Sequence, residues 1–401
     1  MGERADVTTA PVSGTQPGKD APDLGRLAGV LPSQRLRRAV SDGWIVAGDW
    51  RIPPESIQPA SVDLRLGEQA WALRCSFLPD RDSTVEEKVR DLAFESIDLR
   101  DGATLERDRP YLIPLIEELR LPHEVRAKAN PKSSTGRLDV FTRVLTDRSH
   151  RFDEISAGYR GKLYLEVVPR TFAIRVKTGF ALNQVRLICG DGRLADRELV
   201  SLHGEIPLLY RDSEPLSAGA LSLGEGLFLS LDVSSSAESI VGYRAKKNSL
   251  PIDLTKPGAL RWQDYWEPVH PERGGRIVLE PEVFYLLLSA EGVSIPPSYA
   301  AEMLAYDPTA GELRTHYAGF FDPGFGYSAV QASSGSRAAL EVRARDVPFM
   351  VEHGQPVCKL AFERMAEEPD VLYGEEIGSN YQGQQTMLSK HFLGETAQAS
   401  Q

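Results

Sequence analysis

The 401-residue sequence predicts a mainly β protein with few short helices, built as two tandem copies of one sandwich- or barrel-like domain. Short apolar runs such as Ile113-Pro114-Leu115, Leu163-Tyr164-Leu165 and Phe172-Ala173-Ile174-Arg175-Val176 are separated by Pro, Gly and Asp turns, the punctuation of many short strands. The second half repeats the first. Leu105-Glu106 returns as Leu279-Glu280 and Tyr111-Leu112 as Tyr285-Leu286, both 174 residues later, and Leu165-Glu166-Val167 returns as Leu340-Glu341-Val342 after 175. Repeats in constant order over most of each half mark a duplicated unit. A hydrophobic content of 41% alongside 26% charged residues is enough to bury a core in each copy.

In chain order, residues 1–23 are rich in Gly, Pro, Ala, Thr and Asp, lack the apolar stretch of a signal peptide, and read as a disordered tail. Leu31 to Val40 reads as a short helix capped by Ser33, with Leu36, Ala39 and Val40 on one face. Strands follow from about Trp50. The join between copies is expected in the polar stretch Asp212 to Gly219, giving domains 24–212 and 213–378 and a C-terminal arm at 379–401. The segment Pro251-Ile252-Asp253-Leu254 reads as the counterpart of the strand around Asp63.

Net charge is −11, and no basic face of the kind that binds nucleic acid is evident. No apolar run is long enough for a membrane span. The three cysteines are scattered, which fits a reducing cytoplasm rather than a disulfide framework. No Cys or His spacing matches a zinc motif, so no protein-bound metal is expected.

The chemistry-bearing residues cluster in the first half. Pro131-Lys132-Ser133-Ser134-Thr135-Gly136-Arg137 is a turn whose hydroxyls and backbone N–H groups can face an anion, with a point charge on Lys132 and a planar fork of donors on Arg137. It reads equally as a solvated hairpin. Glu166 alternates with Leu165 along a strand and is either a solvent-facing side chain or a partly dehydrated general acid–base. Asp63 is either an edge-strand residue or a pocket wall. In the second copy, Ser133 becomes Asp307, Arg137 becomes Gly311 and Gln184 becomes Lys359, whereas the glutamate persists as Glu341.

These segments together resemble the dCTP deaminases of the dUTPase-like superfamily, in a tandem-repeat form. Ile52-Pro53-Pro54 through Ala60-Ser61-Val62-Asp63-Leu64-Arg65-Leu66-Gly67 is similar to the family's first motif. The 131–137 turn is similar to its Ser-Ser-x-x-Arg motif, and Ala157-Gly158-Tyr159-Arg160-Gly161 through Leu165-Glu166 to its third, which ends on the catalytic glutamate. Tyr381-Gln382-Gly383-Gln384-Gln385 is similar to the closing arm, and Phe321-Asp322-Pro323-Gly324-Phe325 to the third motif's Asp-Pro-Gly turn, where the first copy has Ser156 instead of Asp.

The resemblance implies two dUTPase-like β-barrel or jelly-roll domains and zinc-independent hydrolysis of dCTP to dUTP and ammonia, feeding dUMP and dTTP synthesis. It implies Mg2+ carried with the nucleotide, a small-molecule nucleotide as partner, and a homo-oligomer, on family precedent a trimer. It gives Glu166, Ser133 and Arg137 catalytic roles. Lys132, Ser134, Asp63, Tyr159, Gln184, Tyr381 and Gln384 become substrate contacts, with Asp322 and Glu341 in a degenerate second copy. The first copy is favoured as the active one, although a site shared between copies or between chains is open. A dUTPase, a bifunctional deaminase–diphosphatase forming dUMP, and a non-catalytic nucleotide sensor are the rival readings.

Overall fold

The computed structural model describes residues 24–234, 238–305, 313–315, 319–328, 334–344, 346–374 and 387–393. The expected tail at 1–23 lies outside them, as do Tyr381 and Gln384. Strands dominate and the helices are short, as predicted. No described helix is long and apolar enough to cross a membrane. Cys189 and Cys358 are buried and Cys75 is exposed, all three as free thiols.

Each unit is a sandwich of antiparallel sheets. In the first, strand Ala181–Cys189 lies between Val125–Pro131 and Val62–Arg65 in one sheet. Tyr111–Arg120, Arg160–Pro169 and Val140–Leu145 lie side by side in the other. The second unit repeats this. Pro356–Arg364 lies between Tyr299–Ala305 and Leu227–Ser230, and Phe284–Val293 pairs with Ser336–Ala344. Alternation along each strand sorts side chains to opposite faces. Ile113, Leu165 and Val167 enter the first core, and Tyr285, Leu287, Leu340 and Val342 the second.

Two braces recur at the 174-residue spacing. The Tyr111 hydroxyl accepts from the Glu106 N–H at 2.9 Å, and Tyr285 does the same for Glu280 at 3.0 Å. Buried Glu117 accepts from the Arg65 N–H and Nε, each at 2.6 Å, and Glu291 accepts from the Ser230 N–H at 2.8 Å and from Arg211 at 2.5 Å. A buried carboxylate without such donors would cost several kcal/mol, about 3–5 where one partner of a buried pair is removed. These glutamates are therefore scaffold, and their spacing is the part of the repeat that folding demands.

Three expectations need correction. Ser33 does not cap the helix Ser33–Ser41. Pro32 is the cap residue, and the Ser33 hydroxyl instead donates to Asp370 at 2.5 Å, where the chain returns after the second unit. The join lies earlier than Asp212: Leu194, Leu199 and Leu202, around helix Asp196–Glu205, pack into the second core, and the polar 212–219 stretch begins with a hairpin turn inside that unit. Ile252–Asp253 is not the counterpart of the Asp63 strand, a place held by Leu227–Ser230. It reaches out of its own unit and pairs in parallel with Ile174–Val176 of the first.

The two units are not separable beads. Trp266, Phe284, Leu286 and Leu288 of the second belong to the same buried cluster as Phe172, Ile174 and Val176 of the first. Phe172 meets the Trp266 ring edge-on at 5.4 Å. Burying side chains of this size is worth roughly 1.5–3 kcal/mol each, so the interface is held as a core is held.

Candidate active site

The Ser-Ser-x-x-Arg segment forms one helical turn, Ser133–Gly136, pinned where Thr135 Oγ1 donates to the Leu182 carbonyl at 2.9 Å. Ser133 is exposed at the mouth of the turn, while Ser134, Thr135 and Arg137 are buried. Arg137 donates from Nε to Ser133 Oγ at 3.1 Å and from Nη1 towards the Met387 and Leu388 carbonyls, each at 3.4 Å. The hydroxyl and guanidinium are thus joined, as the sequence suggested.

The carboxylate beside them is Glu341. A methyl group added at Gly136 would stand 2.7 Å from Glu341 Oε1, so the acid rests directly on the glycine backbone. Glu341 is 8% exposed, and burial pushes its carboxyl up to about 8, against a downward pull from Arg137 and a further upward push from Asp139. Two residues on, and so on the same strand face, Arg343 forms a buried ion pair with Asp139, which also accepts from Thr171 Oγ1 at 2.5 Å. This lock sets the second unit's strand in register with the first unit's turn.

Within the chain, Glu166 does not join Ser133 and Arg137. It pairs with Arg143, whose Nε and Nη2 donate to Oε1 at 3.0 and 2.5 Å. The Arg143 guanidinium lies over the rings of Phe152 and Phe141, 3.6 and 4.6 Å from their centroids. Arg143 stands opposite Glu166, and Val140, where the strand after the 133–137 turn begins, stands opposite Pro169, three residues or roughly 10 Å along both strands. Within the chain, the carboxylate that lies against the 133–137 turn comes from the second unit.

Lys132 pairs with Asp63, and Gln184 lies opposite Asp63 in the sheet, accepting from Ser61 Oγ at 2.9 Å. Burial raises the Asp63 carboxyl, Lys132 and Lys390 pull it down, and Asp322 pushes it up. Asp322 is itself held by buried Arg186, which donates to its carboxylate at 2.8 Å, to the Phe321 carbonyl at 2.9 Å and to the Ala301 carbonyl at 2.9 Å. Gly324 takes φ +96° so that the Asp-Pro-Gly turn can close, as Gly158 does at +73° in the first unit. Tyr159, by contrast, spends its hydroxyl on the Lys162 carbonyl at 2.6 Å, in the unit whose glutamate faces away.

The C-terminal segment 387–393 covers the turn. Ser389 Oγ donates to the Ser134 carbonyl at 3.1 Å, with His391 Nδ1 3.0 Å behind it. Burial carries His391 down to about 4, so the imidazole is neutral at ordinary pH. Lys390 is drawn down by burial and by the neighbouring Lys132. Lys390, Arg186, Asp139 and Arg343 were absent from the sequence reading. Only Arg343 carried a signal, its two-residue spacing from Glu341. Among the described residues no group of three or more His, Cys, Asp or Glu side chains is arranged to hold a metal ion.

The family model for the N-terminal domain of 2'-deoxycytidine 5'-triphosphate deaminase matches residues 27–191, and that for the C-terminal domain matches residues 195–392. The chain belongs to the dCTP deaminase family. It is an enzyme of that family with a dUTPase-like β fold. The crystal structure of the deaminase from Agrobacterium tumefaciens superimposes with a TM-score of 0.79 at 42% identity, over 85% of this chain and all of that one. A "dCTP deaminase, dUMP-forming" from Coprothermobacter proteolyticus is 27% identical over 204 residues, 50% of this chain and 92% of its own. A "dCTP deaminase" from Acidianus ambivalens is 25% identical over 150 residues, 37% of this chain and 78% of its own. These two relatives are about half as long as this chain, as a tandem duplication requires. The two family models also divide the chain where the packing does, between 191 and 195.

Proposed function

We propose that the protein hydrolyses dCTP, taken as its Mg2+ complex, to dUTP and ammonia at the seam between its two units, with Glu341 as the proton carrier and no protein-bound zinc. The observation that carries this is the Glu341 carboxyl pressed on Gly136 beside Arg137, buried enough to sit near 8. A carboxyl tuned to the working pH can both take and return a proton. Water is added across C4 of the cytosine. Glu341 takes one proton from the water and passes it to N3 as the hydroxyl adds to C4, then takes the proton of that C4 hydroxyl and passes it to the amine, so that the C4–N bond breaks, C4 becomes a carbonyl and ammonia leaves. Arg137 and Ser133 orient the water and hold Glu341 through the cycle. Lys132 and Lys390 supply positive charge for the triphosphate, and Asp63 and Gln184 line the wall beside it. On this reading the dUTP formed feeds dUMP and dTTP synthesis.

A second reading, release of dUMP and pyrophosphate after deamination, is favoured by the name of the Coprothermobacter relative. It requires a second water at the α-phosphate. Incubation with dCTP and Mg2+, followed by quantification of ammonia, dUTP and dUMP, separates the two. Ammonia with equimolar dUTP supports deamination alone, whereas ammonia with dUMP and pyrophosphate supports the bifunctional reaction. Nucleotide binding with no ammonia would leave only a sensor.

A further inference from the structure

The same connection in the two units is put to opposite uses. In the second unit, the chain between strands Gly242–Ala245 and Trp266–Val269 extends outward and adds Ile252–Asp253 to the first unit. In the first, the chain between Gln69–Leu73 and Ala93–Asp98 folds back as helix Val85–Leu92 onto its own sheet. The helix is built to stay there. Thr84 and Glu87 form a capping box, the Val85 N–H donates to Asp147 at 2.7 Å, and Val85 and Val89 are buried with Leu73, Leu112, Leu145 and Tyr164. Tyr164 and Lys162 fix its outer side through Glu86, at 3.0 and 2.9 Å.

The face that it covers is the one that the second unit uses for docking. Leu112 is the repeat partner of Leu286, which is buried in the cluster shared with the first unit, and Glu166 is the partner of Glu341. In one unit this strand face meets a neighbour. In the other it meets the helix and the Arg143–Glu166 pair.

We propose that residues 74–92 are a built-in cap that occupies the seat of a further unit, so that head-to-tail docking of one chain on another stops at the first unit. Docking of this heterologous kind continues into rings or filaments unless one face is closed. An uncovered Leu112, Leu145 and Tyr164 would leave an apolar patch of the type that recruits a second chain.

The test replaces residues 74–92 with a short Gly-Ser linker and, separately, makes the Val85→Lys, Val89→Lys double variant in the full chain. Sedimentation is followed over a hundredfold range of concentration. Trypsin cleavage after Lys88 and Arg90 reports whether the helix has been released. The expected result is reversible association, into a closed ring or a filament that dissociates on dilution, absent in the unaltered protein, with ammonia release per chain within about twofold. A released helix with unchanged mass would overturn the proposal, as would irreversible aggregation that dilution does not undo. If the linker variant does not fold, the double variant decides alone. Refusal of its helix to release, despite two buried lysines, would show that the segment belongs to the core and would likewise overturn it.

Discussion

The two units keep the same scaffold and differ in what they contribute to the seam. Both retain the tyrosine that closes the turn before its long strand, the buried glutamate at the next brace, and the positive-φ glycine of the third motif. The first unit supplies the hydroxyl, the guanidinium and the paired Lys132–Asp63. The second supplies the carboxylate and the Asp-Pro-Gly turn. Each looks degenerate when read alone, the first without its aspartate and the second without its serine and arginine. In the proposed site, the two together make one full set. Loss in one copy is informative only once it is known which copy faces which.

The sharpest way to break that comparison is to remove each glutamate's charge. Glu341→Gln is expected to lower ammonia release from dCTP by roughly 10²–10⁴-fold, the range for a lost general acid–base, while Glu166→Gln stays within about threefold. The reverse pattern would return the reaction to the first unit. A smaller effect is expected from Gly136→Ala. Its methyl would stand 2.7 Å from Glu341 Oε1, and displacing the carboxylate by even a fraction of an ångström should cost about tenfold or more in kcat, with the melting temperature little changed. An unaltered kcat would mean that the contact is not formed during turnover.

The smallest effect concerns stability. The folded-state pKa of Glu341 is raised from 4.5 to about 8. Between these values the folded protein holds a proton that the unfolded chain has lost, so stability falls as pH rises through that window. Glu341→Gln removes this penalty. Its melting temperature should exceed that of the unaltered protein by a few degrees, with the gap widening from about pH 4.5 to 8 and then levelling. A gap that is flat with pH would show that Glu341 is not buried as an acid.

Much of this was legible in the sequence because it is local. Runs such as Leu163-Tyr164-Leu165 between turns announce strands, the 174-residue spacing announces duplication, and Pro131 to Arg137 announces a turn rich in donors. Choosing between Glu166 and Glu341 was not local. Alternation puts both on the outer face of their strands, and what that face meets depends on whether the connection one strand earlier folds back, as at Val85–Leu92, or reaches across, as at Ile252–Asp253. The join was misplaced for a similar reason. A polar, turn-rich stretch marks a hairpin as readily as a boundary, and only the packing of Leu194, Leu199 and Leu202 tells them apart. Lys390 had no signal, because a lone lysine near a terminus acquires meaning only from the Lys132 and Asp63 it lies beside.

With the reaction at the proposed seam, the strand Ile252–Asp253, which ties the second unit to the first, would also free the enzyme from mass action. A pocket shared between separate polypeptides empties when they are diluted below their dissociation constant. Here the partner surface is on the same chain, at an effective local concentration on the order of millimolar. Specific activity should therefore hold constant on dilution far below the point at which an assembly of independent subunits would fall apart.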